Sequence, residues 1–330
     1  MSAPPVLLLS RSAIARLATT RDYLDAMQAA FAGLAHGRFE MPQVGHVPGI
    51  GGMFHIKSAQ RSGSPALAAI KVNGNFPENI VRRQLPTIQG FVALLDADCG
   101  CVLALMDSIE ITARRTAAAT ALAAKYLAKP GSRALAMIGC GVQAAYHVEA
   151  LLDIAPIELV TFCDPRDDAA EAFDGRVHAL GLKTRRAGDV RSAVDGADIV
   201  VTVTTSTRPL LGPADIGPGT FVAGVGADNP AKHELAPDLL QASRVIADSL
   251  AQAATMGDLH HAIETGAMQA ADVHGELAQL AAGEVSGRTH EDEQWVFDST
   301  GVSIQDLAAA AMLYERAQAA GGVPQIQLGN

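Results

Sequence analysis

Aromatic side chains are scarce in this chain of 330 residues, at 4% of the total, with a single tryptophan. Its cores must therefore be built from Ala, Val, Leu and Ile, and the abundance of alanine and glycine suits helices lying close on a sheet. Basic residues are outnumbered: 25 Lys and Arg against 35 Asp and Glu leave a formal net charge of −10. With no basic cluster against that background, nucleic acid and membrane surfaces are excluded as partners. Cysteine is limited to Cys99, Cys101, Cys140 and Cys163. They form no C-x-x-C pair and have no histidine at zinc spacing, which fits free thiols in a reducing compartment. There is no H-E-x-x-H and no G-x-S-x-G, so no metal is expected and a serine-hydrolase elbow is excluded. The one apolar run near the N-terminus, Val6 to Leu9, lacks a basic n-region and is too short for a signal peptide or a spanning helix. A cytoplasmic location is expected.

What is present is an alternation centred on Ser132 to Arg166. An apolar run, Ala134 to Ile138, leads into Gly139-Cys140-Gly141-Val142-Gln143-Ala144, then helical spacing, then a second apolar run ending at Asp164. This is a strand, turn, helix, strand unit carrying G-x-G-x-x-A. Gly139 permits a tight turn, Gly141 lets a pyrophosphate approach the backbone, and Ala144 lets the helix pack on the strand. The phosphates would sit on N–H groups at the helix N-terminus. Asp164, at the acidic position of the fingerprint, is placed to accept hydrogen bonds from both hydroxyls of an adenosine ribose, which favours NAD. Arg166 leaves NADP open, since a guanidinium can pair with a 2′-phosphate. The plainer reading of Asp164-Pro165 is an N-cap followed by a first-turn proline.

The length allows two domains. Before the central unit, residues 5 to 9 read as strand or coil, and Ser10 and Thr20 read as N-caps of two helices, the second closed by Gly37. Residues 41 to 64 are rich in Gly, Pro, His and Ser, with Met53 to Lys57 as the one strand-like patch. Ala66 to Val72 is a strand broken by Asn73-Gly74-Asn75, and Phe91 to Asp96 with Cys101 to Asp107 reads as a hairpin. Thr112 to Leu127 reads as a long alanine-rich helix with Thr112 as N-cap. Further strands are expected at Ile199 to Val203, Phe221 to Val225, Arg244 to Ala247 and Trp295 to Asp298, and a last helix at Ile304 to Ala320. Strands alternating with helices imply a mostly parallel α/β sheet. The expected division is a first domain over 1–125 completed by 305–330, and a second over 126–304.

Four groups outside the glycine turn are candidates for chemistry. Lys71 lies in an apolar strand, where it must snorkel, meet an anion or face water on an edge. Arg114-Arg115 falls in the first turn of the expected helix, against the dipole, so an anion would relieve the conflict. Arg114 is read as a surface salt bridge and Arg115 as the anion ligand. Asp228 follows a strand at the edge where open α/β sheets bind ligands, and is a proton donor or acceptor or else an Asx-turn residue before Pro230. Ser299-Thr300-Gly301 follows the last strand, with hydroxyls that touch a nicotinamide or cap the final helix. The histidines are scattered, and solvated or packing roles suit His147, His260 and His261.

Taken together, Lys71-Val72-Asn73 with Phe76-Pro77-Glu78-Asn79, Asp107 with Ile111 to Ala118, the glycine turn, Gly226-Ala227-Asp228 with Lys232 to Leu235, and Ser299-Thr300-Gly301 with Asp306 resemble the ornithine cyclodeaminase/mu-crystallin family. The resemblance spans nearly the whole chain. It implies a Rossmann domain, a substrate-binding and dimerisation domain made from both chain ends, and a homodimer. The implied chemistry moves a hydride between a nicotinamide and the α-carbon of an amino acid or its imine. Lys71 and Arg115 would hold the α-carboxylate and Asp228 would move a proton. Thr112, Gly139, Gly141, Val142, Gln143, Asp164, Arg166, Thr204, Thr205, Ser299 and Gly301 would contact the cofactor. Two departures rank the family's activities. Gln43 stands where the family usually has a carboxylate-binding arginine, and His55 and Lys57 stand where cyclodeaminases place a glutamate for a distal amine. A cationic pair suits an anionic group better than an ammonium. The ranking is an NAD(H)-dependent imino-acid reductase or amino-acid dehydrogenase for a small or acidic substrate, then ornithine cyclodeaminase, then a ligand-binding crystallin-like protein.

Overall fold

A computed structural model describes residues 4–328, and the chain divides into two compact units. One runs to Arg115 and resumes at Val302; the other is Thr116–Gly301. The first unit carries an eight-stranded sheet. It opens with β1 (Val6–Leu9), α1 (Arg11–Leu17) and α2 (Thr20–Ala35), followed by β2 (Phe39–Glu40), β3 (Gly45–Gly49), β4 (Gly52–Arg61) and β5 (Leu67–Asn75). After α3 (Asn79–Arg83) come β6 (Ile88–Asp96), β7 (Val102–Asp107) and the start of α4 (Ser108–Leu127). The order across the sheet is the terminal strand Gln325–Ile326, then β1, β7, β6, β5, β4 and β2, with β3 paired to β4. The pairings from β4 to β7 are antiparallel, whereas β1 joins β7 in parallel.

The C-terminal helix Ser303–Ala320 returns to this unit and packs on α2, β4, β5 and β6. The core between them is formed by Tyr23, Met27 and Phe31 of α2, Val92 and Leu94 of β6, and Leu307 and Leu313. Fully burying each such side chain stabilises the fold by roughly 1.5–3 kcal/mol.

Several expectations shift here. Thr19, not Thr20, caps α2: its hydroxyl accepts the Asp22 N–H while the Asp22 carboxylate accepts the Thr19 N–H. Thr20 is already helical. The segment 41–64 is mostly sheet, because β3 and β4 form a hairpin in which polar and glycine residues alternate with Val47, Phe54 and Ile56. Strand β5 continues through Asn73-Gly74-Asn75, held by pairing on both sides. Helix α4 begins at Ser108, and Asp107, not Thr112, caps it by accepting the Ile109 and Glu110 N–H groups. Arg114 and Arg115 therefore lie in its second turn, so the argument from an opposing first-turn dipole does not apply to them.

The second unit holds an eight-stranded parallel sheet. The strands of the whole unit are β8 (Ala134–Ile138), followed by α5 (Val142–Leu152), then β9 (Leu159–Cys163), β10 (Lys183–Arg186) and β11 (Ile199–Thr202). Next come β12 (Thr207–Leu211), β13 (Phe221–Gly224), β14 (His233–Leu235), β15 (Arg244–Ala247), β16 (Gly275–Glu276) and β17 (Trp295–Asp298). The sheet order is β10-β9-β8-β11-β13-β17-β15-β16, while β12 and β14 pair separately. Successive strands leave β8 first to one side and then to the other, which makes the β8–β11 junction the switch point of a Rossmann-type α/β fold. Both faces are covered, so the strands read as continuous apolar runs. Among the described residues no helix is long and apolar enough to cross a membrane.

Candidate functional site

In the first unit, strand register and the C-terminal helix bring charge together in the interior. Lys57 of β4 lies directly opposite Lys71 of β5, so both share the sheet face that also carries His55 and Asn73. From the helix, Asp306 places Oδ2 2.6 Å from Lys71 Nζ and Oδ1 3.2 Å from Arg115 Nε. Gln305 accepts a further hydrogen bond from the Arg115 guanidinium. Lys71, Arg115 and Asp306 are 4%, 5% and 2% exposed, too little for surface ion pairs.

Burial pushes the Lys71 ammonium down to about 7; Asp306 opposes this, whereas the Arg115 and Lys57 charges add to it. For Asp306, burial raises the carboxyl, but Lys71, then Arg115 and Lys57, hold it below its ordinary value. One carboxylate thus faces two buried cations, and the Lys57 charge acts on both Lys71 and Asp306. The cluster is suited to an external carboxylate. Arg114 is engaged by Glu110 one turn away, at 2.6 Å. Gln43 is exposed on the connection before β3, and the His55 ring meets His46 edge-on. Thr112 is half-buried in the second turn of α4.

In the second unit, the turn after β8 meets the end of β11. Gly139 has φ +91°, and a Cβ there would come 2.9 Å from the Val203 carbonyl oxygen, so only glycine fits. At Gly141 a Cβ would meet nothing within 4 Å, leaving open backbone. Helix α5 starts at Val142 with no side-chain cap, and the buried Gln143 Oε1 has no partner among the described residues. A cavity of about 550 Å³ opens here, lined among others by Gly139, Gly141, Asp164, Arg166, Thr204 and Thr205. Asp164 is not a helix cap: Oδ2 accepts the Cys140 N–H and Oδ1 the Arg166 N–H, both at 2.8 Å. Burial works to raise its carboxyl, but these two bonds, reinforced by the Arg166 side chain, hold it below the ordinary value. The cradle has the shape, open N–H terminus and anchored carboxylate that a dinucleotide requires.

Asp228 is an exposed residue on the loop after β13, its Oδ1 2.7 Å from Lys232 Nζ. Sequence reasoning did not assign the group that holds this loop. Buried Glu234 accepts N–H bonds from Thr204 and Gly226 at 2.6 Å and the Thr202 hydroxyl at 2.8 Å. Asp258 in turn accepts the Glu234 and Leu235 N–H groups. The Ser299-Thr300-Gly301 turn has a partner that neither earlier alternative named. Asp248 accepts the Thr300 hydroxyl at 2.8 Å and the Gly301 N–H at 2.6 Å, with Ser299 at 3.5 Å. His147 is packed inside α5, bonded to Gln143 O and Thr120 Oγ1, and burial lowers it to about 4.

Comparison with known proteins agrees over the whole length. The model of the ornithine cyclodeaminase/mu-crystallin family matches residues 6–321. The iminosuccinate reductase of Paracoccus denitrificans is 32% identical over 324 residues, covering 98% of this chain and all of the relative. The L-lysine cyclodeaminase of Streptomyces rapamycinicus is 33% identical over 300 residues, 88% of this chain and 84% of its own. Among solved structures, an archaeal alanine dehydrogenase dimer with bound NAD superposes with a TM-score of 0.93 at 31% identity, covering 99% of this chain and 100% of that one.

Replacing Asp306 by Ala leaves Lys71 and Arg115 buried without their counter-charge. The expected loss is about 3–5 kcal/mol of unfolding free energy, measured by urea denaturation in the absence of any substrate. A variant as stable as the parent would show that the two cations are compensated elsewhere.

Proposed function

Because the chain belongs to the ornithine cyclodeaminase/mu-crystallin family, we propose that it is an NAD(H)-dependent imino-acid reductase or amino-acid dehydrogenase whose substrate carries a second carboxylate. The observation that carries this reading is the register of β4 and β5. Lys57 stands beside Lys71 at a cluster where Asp306 is the carboxylate paired with two cations. An amino acid with a cationic side chain would meet repulsion there, whereas an iminosuccinate-like dicarboxylate offers one carboxylate to Lys71 and Arg115 and another to Lys57, with His55 and Gln43 alongside.

Lys71 and Arg115 fix the α-carboxylate. Lys71 supplies a point charge and Arg115 a planar fork whose orientation is set by Gln305 and Asp306. When bound, the nicotinamide supplies the hydride that reduces the carbon of the C=N bond. Asp228 gives the proton that completes the amine nitrogen, and in the reverse direction accepts it. Thr112 and Val142, with Ser299 and Gly301, complete the cofactor contacts proposed beside the glycine turn and the two threonines. NAD is favoured over NADP because Asp164 is anchored as an anion and Arg166 folds onto it, so a 2′-phosphate would face a carboxylate. Cyclodeamination of ornithine is the second reading, since a lysine cyclodeaminase is among the relatives.

The protein is further proposed to be a homodimer. On the sheet face opposite Lys57 and Lys71, the alternating positions Val47, Phe54, Ile70 and Phe91 are 48%, 37%, 39% and 44% exposed. They form an apolar patch that a second copy would cover. Phe54→Arg is expected to convert a dimer to a monomer in sedimentation velocity; a parent protein that is already monomeric at micromolar concentration would overturn this.

The activity is tested by NADH oxidation with oxaloacetate and ammonia, scoring aspartate, against pyruvate with ammonia and against proline release from ornithine with NAD. Aspartate formation is expected to dominate, and Asp228→Asn to lower turnover at least 100-fold with little change in NADH affinity. Proline formation without net NADH would reverse the ranking. The depressed Lys71 also dictates a pH dependence, because the ammonium that binds a carboxylate is lost as pH rises through about 7. The inhibition constant of succinate should therefore rise by up to about tenfold per pH unit between pH 7 and 9, and Lys71→Met should weaken binding and flatten the profile. A constant value in the parent protein across that range would remove Lys71 from carboxylate binding.

A further inference from the structure

A cluster remote in sequence from both motifs lies in the second unit, on the helix Asp258–Glu264. His260, His261 and Glu264 each place one ligand atom within 4.8 Å of the others. His260 Nε2 is 3.5 Å from Glu264 Oε2. A tetrahedral ion with bonds of about 2.0–2.1 Å spans ligand pairs roughly 3.4 Å apart, so this edge already has the needed length. The i, i+4 spacing stacks these two side chains on one helix face, and His261 approaches from the neighbouring position.

The second observation is the tautomer that the backbone imposes. His260 Nδ1 donates to the Ala254 carbonyl oxygen at 3.3 Å, which leaves Nε2 with its lone pair outward. His261 Nε2 donates to the Lys232 carbonyl oxygen at 2.9 Å, which leaves Nδ1 free for a ligand. A ring N–H given to a backbone carbonyl is the arrangement that orients metal-binding imidazoles and makes them more basic. The His261 ring is also held flat on His233, at 3.9 Å and 14°, and His233 is itself fixed through Nε2 to Leu235 O. Two oriented imidazoles and an exposed carboxylate offer three ligand atoms, which leaves a tetrahedral ion one further position for water.

We propose that His260, His261 and Glu264 form a binding site for a divalent transition-metal cation of the zinc class. Imidazole with carboxylate suits Zn²⁺, Ni²⁺ or Cu²⁺ rather than Mg²⁺ or Ca²⁺. The histidine that would ligate the ion is bonded to Lys232, whose ammonium holds Asp228, so occupancy reaches the Asp228 loop through a single residue.

The test uses the tag-free full-length protein, stripped with a chelator and titrated with Zn²⁺ against a chromophoric competitor. One ion per chain is expected, with a micromolar dissociation constant. Glu264→Gln, at an exposed position, should weaken binding at least tenfold, and His260→Ala should do the same. Ca²⁺ and Mg²⁺ should not compete. The proposal is overturned by the absence of stoichiometric binding, by affinity unchanged in both variants, or by loss of binding in Cys99→Ser/Cys101→Ser instead. Because the readout is metal affinity, it stands or falls apart from the redox reading.

Discussion

Asp306 is the residue on which the first unit turns. It comes from the chain's last long helix, and its two oxygens reach Lys71 on a central strand and Arg115 on α4. Two cations cannot be taken out of water together without an anion, since the desolvation of each costs several kcal/mol. The helix therefore does more than cover the sheet with apolar surface. It delivers the counter-charge that allows positive groups to be held dry and fixed. The pairing is one carboxylate against two cations, with the Lys57 charge acting on both Lys71 and Asp306, and it is here that a substrate carboxylate is proposed to bind. Burial, and then the Arg115 and Lys57 charges, lower the Lys71 proton affinity against the pull of Asp306, so the group proposed to bind the carboxylate is also the pH-sensitive one.

The second unit solves a different problem, that of presenting N–H groups and open backbone to a phosphate. Its turn depends on a glycine at φ +91° wedged against Val203, and on Asp164 tying Cys140 back to the end of β9. The acid at the proposed ribose position thus also shapes the turn, because Oδ2 holds the Cys140 N–H while Oδ1 takes the Arg166 N–H. Its ionised form is secured by two backbone N–H groups rather than by exposure to water.

Much of this was legible in the sequence because it is local. The glycine turn, Asp164, the four later strands and the terminal helix follow from apolar runs and turn residues that sit next to one another. Lys71 was singled out because a charge in an apolar strand needs an explanation, and Asp306 supplies it. The pair Arg114-Arg115 was singled out for a reason that does not hold, since α4 starts four residues earlier than Thr112 suggests and no first-turn conflict exists. Asp107 was overlooked as a cap because it also ends a strand and pairs with Arg11. The hairpin of β3 and β4 was obscured by glycine and proline, whose local preference for turns is overridden by pairing of β3 with β4 and of β4 with β5. Pairing between residues far apart in sequence leaves no periodic trace, which is why the compensating role of Asp306 and the clamp of Asp248 on residues 299–301 emerge only in the folded chain.

The acids buried in the second unit follow the same logic in reverse. Glu234, Asp258 and Asp298 are fully buried, and among the described residues no cation is paired with them; they accept backbone N–H groups at loop and helix starts, and Glu234 also the Thr202 hydroxyl. Burial, and for Asp258 and Asp298 the neighbouring carboxylate, pushes all three upward, Asp258 to about 7. A carboxylate with no cation beside it can remain buried when protons and N–H donors meet its oxygens, and in exchange it pins several loops at once. Glu234 joins the end of β11 to the turn after β13, so Thr204, which lines the cavity beside Gly139 and Gly141, and the loop bearing Asp228 are held by one side chain. The chain thus uses a buried anion with two cations to make a charged site in one unit, and buried acids with backbone donors to make rigid loops in the other.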